Sequence, residues 1–185
     1  MASDDVNNGG GRLTADELIE LLGLEPLPKE GGFYRETFRS PRRLPAGSMG
    51  SEYAGERNAL TAIYFLVTPA SPSAWHLLPS DEVFLWHGGA PVRMLRLPPT
   101  GPAEPITLGV DFATGQRPQA VVPGGVWQGC RLEDGAGPGW ALLSCLVAPG
   151  FDFADFHVAT PAEVAELAAR FPGHAAEVER LAPRG

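Results

Sequence analysis

At 185 residues, with 44% hydrophobic and 19% charged side chains, the chain reads as one soluble globular domain with a core of its own. Lys+Arg number 14 against 22 Asp+Glu, a formal net charge of -8 with no basic stripe, which argues against a nucleic-acid partner. The longest apolar run, residues 59–67, is too short to span a bilayer, and the N-terminus lacks the basic and apolar segments of a secretory signal, so a cytoplasmic protein with no membrane partner is expected.

Residues 1–12 are polar and glycine-rich and are expected to form a disordered tail, leaving 13–185 as a single domain. Thr14 and Glu17 have capping-box spacing, Leu18, Leu21 and Leu22 make an apolar stripe, and Gly23 stops this first helix. "FYRETFRS" alternates, with Phe33, Arg35, Thr37 and Arg39 on one face and Tyr34, Glu36 and Phe38 on the other. Either Arg35 or Glu36 must face inward if this strand lines a barrel. An inward arginine would recognise a carboxylate or phosphate; the alternative is a salt bridge that fastens the strand or a dimer partner. Residues 41–57 read as a loop with no core of its own.

From "ALTAIYFLV" to "WALLSCLVAP", strand-like runs alternate with turn signals about every ten residues, the cadence of a β-sandwich or barrel. Cys130 and Cys145 lack metal or redox spacing and are expected to be buried free thiols. Thr160, Pro161 and Glu163 open a helix that Pro172-Gly173 closes, and "HAAEVERLA" reads as one more. The expectation is an all-β barrel with short flanking α-helices.

The stretch "WHLLPSDEVFLWHGG" carries the chemistry. Pro79, Ser80 and Asp81 make a reversal, with His76 before it and Glu82 after it. Alternation puts His76, Leu78, Glu82, Phe84 and Trp86 inside and sends Val83, Leu85 and His87 out. An imidazole and a carboxylate among aromatic walls are the usual make-up of a small-molecule site. Gln128 returns across the barrel after a Pro-Gly-Gly turn, as a ligand contact or as an amide bridging two strands. Asp152 and Asp155, within "FDFADF", are expected to shape a turn, and His157 has no visible partner.

His76, Leu78, Glu82 and Gly89, followed by Pro123, Gly125 and Gln128, resemble the two cupin motifs. With "GGFYRETFRS", "TAIYFL", "SDE", "PGGVWQG" and "APGFDFADF" in order, the chain looks like the cupin-5 family, domain of unknown function 985, among the RmlC-like cupins. The resemblance implies a double-stranded β-helix (jelly-roll) barrel and a homodimer. Metal-binding cupins have histidines where this chain has Leu78 and Gln128, so His76, Glu82 and Gln128 would form only a weak site for a divalent metal. Other departures are Phe84-Leu85, where the family often has Trp-His, and His157, where it often has a glutamate.

Three functions follow. The leading expectation is a small-molecule-binding protein, an epimerase or isomerase of a sugar-like or polar metabolite. In it His76 acts as base, oriented by Glu82, with Tyr64 as the reciprocal acid by analogy with RmlC-like epimerases, and Phe84, Trp86, Gln128 and Arg35 contact the ligand. The second is a metal-dependent oxygenase or isomerase at His76, Glu82 and Gln128. The third is a non-catalytic sensor or ligand-binding module.

Overall fold

The computed structural model describes residues 13–53 and 55–184; the tail expected over residues 1–12 lies outside them. Thirteen strands carry the fold: β1 (Glu25–Pro26), β2 (Phe33–Arg39), β3 (Arg43–Leu44), β4 (Arg57–Asn58), β5 (Thr61–Val67), β6 (Ser73–Leu77), β7 (Asp81–Gly89), β8 (Val92–Leu97), β9 (Glu104–Leu108), β10 (Gln119–Val122), β11 (Trp127–Leu132), β12 (Ala141–Ala148) and β13 (His157–Val158). The helices are α1 (Ala15–Leu22), α2 (Pro161–Arg170) and α3 (Ala175–Arg180). Pairing is antiparallel within two main sheets, ordered β1-β2-β5-β12-β7-β10 and β13-β6-β11-β8-β9. The expected all-β barrel with flanking helices is therefore the observed architecture.

The main core lies between the sheets. Strand β12 illustrates the rule, since Ala141, Leu143, Cys145 and Val147 are buried in strict alternation. They meet Phe65, Phe84, Val92, Met94 and Cys130. Both cysteines are buried free thiols, as their spacing suggests. Helices cover the outer faces. Leu18 of α1 packs with Leu24 and Leu66 on one sheet. On the other, Val164, Leu167 and Val178 of α2 and α3 bury Trp75, Leu95 and Leu97. Thr14 and Thr160 cap their helices through complete capping boxes, as the sequence predicts. Among the described residues no helix is long and apolar enough to cross a membrane.

Of three β-bulges among the described residues, those in β2 and β6 set which side chains reach the chamber. In β2, Glu36 pairs with Ile63 and Phe38 with Ala62, so Thr37 is an extra residue. In β6, Ser73 pairs with Cys130 and His76 with Gln128, three residues of β6 against two of β11. That offset lets Ser73 and His76 both face inward while Trp75 faces the helices. The described residues of the stretch 41–57 are not all loop. Strands β3 and β4 pair within them, and Tyr53 is buried with its hydroxyl 3.0 Å from Ser80 Oγ.

Gly32 sits at φ 71°, and a Cβ there would fall 2.5 Å from Phe65 Cε2 and 3.1 Å from Leu66 O. Gly32→Ala is expected to cost at least ~2 kcal/mol through left-handed strain and displacement of Phe65. Urea denaturation checks this; a loss below about half that size would mean the turn relaxes freely.

Candidate functional site

A cavity of about 380 Å³ opens between the sheets. Strands β2, β5, β7 and β12 supply Tyr34, Phe65, Glu82, Phe84 and Cys145 to its wall, and β6 supplies His76. Residues 151–156 fold over the mouth as a turn in which Asp152 Oδ1 accepts from Ala154 N at 2.9 Å and Asp152 O from Asp155 N at 3.0 Å. The expected turn-shaping role of Asp152 and Asp155 is thus what the structure has. The turn is fastened from below, since Arg57 Nε donates to Asp155 Oδ2 at 2.6 Å and Arg57 Nη2 to Oδ1, both side chains being buried. It presents Phe151, Phe153 and Phe156 to the chamber, with ring centroids 5.0 to 6.2 Å apart.

His76 lies at the floor, 2% exposed. Its Nδ1 is 2.9 Å from Ala74 O, and because a carbonyl only accepts, that nitrogen carries a proton. Glu30 Oε1 lies 3.7 Å from Nδ1 and Glu82 Oε2 lies 3.9 Å from Nε2, so the ring sits between two carboxylates. The Phe156 ring centre lies 5.5 Å from that of the imidazole, the two planes tilted by 45°. Burial works against a charged imidazole. The Glu30 charge first, then the neighbouring Glu82 carboxylate, outweigh it and raise His76 from 6.5 to about 9. At neutral pH the ring is an imidazolium.

Each carboxylate is tied to the wall by one oxygen. Ser73 Oγ donates to Glu30 Oε1 at 2.7 Å, and Gln128 Nε2 donates to Glu82 Oε2 at 2.7 Å. Burial pushes the Glu30 carboxyl above its usual range, partly countered by His76. Gln128 Oε1 is buried with no partner among the described residues. The Cys130 and Cys145 thiols are raised by burial and then by the nearby Glu30 and Glu82 charges, which favours their neutral form over the thiolate.

Of the residues expected at the site, His76, Glu82, Phe84 and Leu78 line the chamber. Gln128 reaches it only through Glu82. Three expectations are corrected. Tyr64 faces outward, packed against Leu18, Leu24 and Leu66, and cannot serve as an acid in the chamber. Arg35 shares that outer face, its guanidinium 5.9 Å from the Tyr64 ring centre. Trp86 packs on the barrel core beyond the chamber, its Nε1 donating to Ala90 O at 3.0 Å. The Thr37 bulge explains a further difference: Arg39, expected beside Arg35, turns to the chamber mouth with Glu36 and binds it at 2.9 and 2.7 Å. His157, with no partner foreseen, meets Glu163 Oε1 at 2.8 Å.

Glu30 was missed altogether. It stands in "PKEGG", where Lys29 adopts φ 68°, and no periodicity there signals a buried acid. The one available sign was its place between two prolines and two glycines, in a tight turn that leads into a chamber-lining strand.

The donor set does not fit a divalent metal. Only His76 Nε2 and Glu82 face one another as donors, because Glu30 approaches the protonated Nδ1, Leu78 offers no lone pair, and the Gln128 amide is engaged with Glu82 through its nitrogen. Among the described residues no group of three His, Cys, Asp or Glu side chains is arranged to hold a metal ion.

Comparison with known proteins places the architecture. The sequence profile described as "Cupin superfamily (DUF985)" matches residues 16–159. An uncharacterized protein of Saccharomyces cerevisiae is 32% identical over 157 residues, 76% of this chain and 78% of its own. A hypothetical protein from Leishmania major superposes with a TM-score of 0.80 at 32% identity, covering 93% of this chain and 100% of that one. A cupin 2 conserved barrel domain protein from Rhodopseudomonas palustris, at 14% identity and a TM-score of 0.57, covers 87% of this chain and 90% of that one and shares the fold alone.

Proposed function

The chain belongs to the DUF985 family of the cupin superfamily, and from that premise we propose that it is a small-molecule-binding protein whose ligand sits over His76. The observation that carries the reading is the buried Glu30–His76–Glu82 row on the wall of an aromatic cavity of about 380 Å³. Removing three ionisable groups from water is costly, and a packed apolar floor of the same volume would be more stable. Such a cost is met at sites where a ligand engages the groups.

The chemistry of the floor is proton exchange. With protons on both ring nitrogens at neutral pH, His76 is a donor and a proton source rather than the base. For isomerisation of a polar metabolite, Glu82 or Glu30 takes a proton from the carbon beside a carbonyl, His76 stabilises the oxygen on which charge develops, and a protonated carboxyl of the pair then returns a proton to carbon as that charge collapses. No tyrosine acid is needed. A homodimer, implied by family likeness, belongs to the same reading.

Native mass spectrometry after incubation with cell extract tests both points. A small adduct on the wild type, lost in His76→Gln and Glu82→Gln, and a dimer mass are expected. No adduct, or an adduct retained by both variants, ends the proposal for the chamber.

A further inference from the structure

We propose that the chamber's ligand is a small organic cation, its positive charge set toward Glu30 and Glu82 and its alkyl surface against the phenylalanine rings. This rests on the chamber being the ligand site.

The charges on the wall do not balance. Glu25, Glu30, Glu36, Glu82 and Asp152 line the cavity against Arg39 and His76. Arg39 is already engaged, with Glu36 in two hydrogen bonds and with Asn58 Oδ1 at 3.0 Å and Phe151 O at 3.2 Å. His76 directs Nδ1 at Ala74 O, and its Nε2 lies 3.9 Å from Glu82 Oε2, so a permanently anionic group approaching the ring would also approach that carboxylate. An anionic ligand would meet acids and find no spare cationic fork among the lining residues. A phosphate or carboxylate group is disfavoured on these grounds.

A cation meets the opposite situation. Glu30 and Glu82 are each more than nine-tenths buried and both line the cavity. Ser73 and Gln128 bond Glu30 Oε1 and Glu82 Oε2, which leaves Glu30 Oε2 and Glu82 Oε1 without an N–H or O–H donor among the described residues, the Cys145 thiol being a weak further donor to Glu82. Carboxylate oxygens that open onto the cavity invite a donor or a positive charge. Around them stand Phe65, Phe84, Phe151, Phe153 and Phe156, whose ring faces attract ammonium groups. A volume of about 380 Å³ lies near the small end of ligand pockets, which suits a single ammonium with a short polar arm.

Isothermal titration with four probes tests the class: choline, its uncharged isostere bearing a tert-butyl group in place of trimethylammonium, butyrate and inorganic phosphate. Choline is expected to bind roughly tenfold more tightly than the isostere. Glu30→Gln and Glu82→Gln should each remove most of that preference and leave the isostere's affinity nearly unchanged. The wild-type comparison needs no variant to fold. Equal or tighter binding of the isostere, or preferential binding of butyrate or phosphate, overturns the cation class and leaves the chamber intact as a ligand site. Failure of all four to bind, with no change in the His76 ring NMR signals, overturns the class and the site together.

Discussion

His76→Leu is expected to lower stability by about 3–5 kcal/mol near neutral pH, because it leaves Glu30 and Glu82 buried with no counter-charge between them. Two linked pH effects shape that loss. In the wild type His76 rises from 6.5 to about 9 on folding, so its contribution is complete below 6.5 and fades as pH climbs to about 9. The window corresponds to roughly 3 kcal/mol. Glu30, raised by burial, also favours the acid side, since the folded state holds its proton above the ordinary 4.5. Wild-type stability should therefore decline from pH 6.5 to 9. The variant's deficit should shrink toward acid, where its unpaired carboxyls take up protons, and toward alkali, where the wild type has lost its imidazolium. Urea denaturation across that range measures both curves. A wild-type profile that is flat or rising between 6.5 and 9 would refute the charged-floor account.

Trp75→Ala should cost about 3–5 kcal/mol, the range for deleting a fully buried indole. The side chain is 0% exposed, and its Nε1 donates to Val178 O at 2.8 Å. Its backbone is held on both sides as well, N–H to Leu181 O at 3.1 Å and C=O from Ala159 N at 2.9 Å. Trp75→Phe keeps most of the packing and should lose about 1–2 kcal/mol, chiefly the stranded Val178 carbonyl. Thermal and urea unfolding distinguish the two. A deficit for alanine no larger than that for phenylalanine would mean that α2 and α3 do not depend on this contact.

The barrel was legible because turn residues recur between apolar runs; the bend at Pro79 and Ser80, read as a hairpin-like reversal, instead carries the chain from one sheet to the other, so His76 and Glu82 meet across the interior. Phase was harder to read. "TAIYFLV" is apolar on both faces, one covered by α1 and one by the barrel core, so no polar alternation reveals which way Tyr64 points. In β7, alternation assigns Trp86 to the inner face, but a nine-residue strand extends past the chamber. Glu30 owes its position to a left-handed Lys29 and a tight turn, which no periodicity describes. Arg39 was misassigned because period-2 reasoning fails across an extra residue.

That extra residue has an evolutionary side. With Thr37 looped out, Arg39 of β2 lies at the chamber mouth and Phe38 is left 48% exposed to solvent. Ironing the kink flat while keeping all seven residues would rotate Phe38 inward and Arg39 outward, trading a guanidinium–carboxylate gate for a benzyl plug. Relatives can thus remodel what the entrance admits by shifting one backbone irregularity, with no change of composition, and alignments that merely count residues would not register the difference.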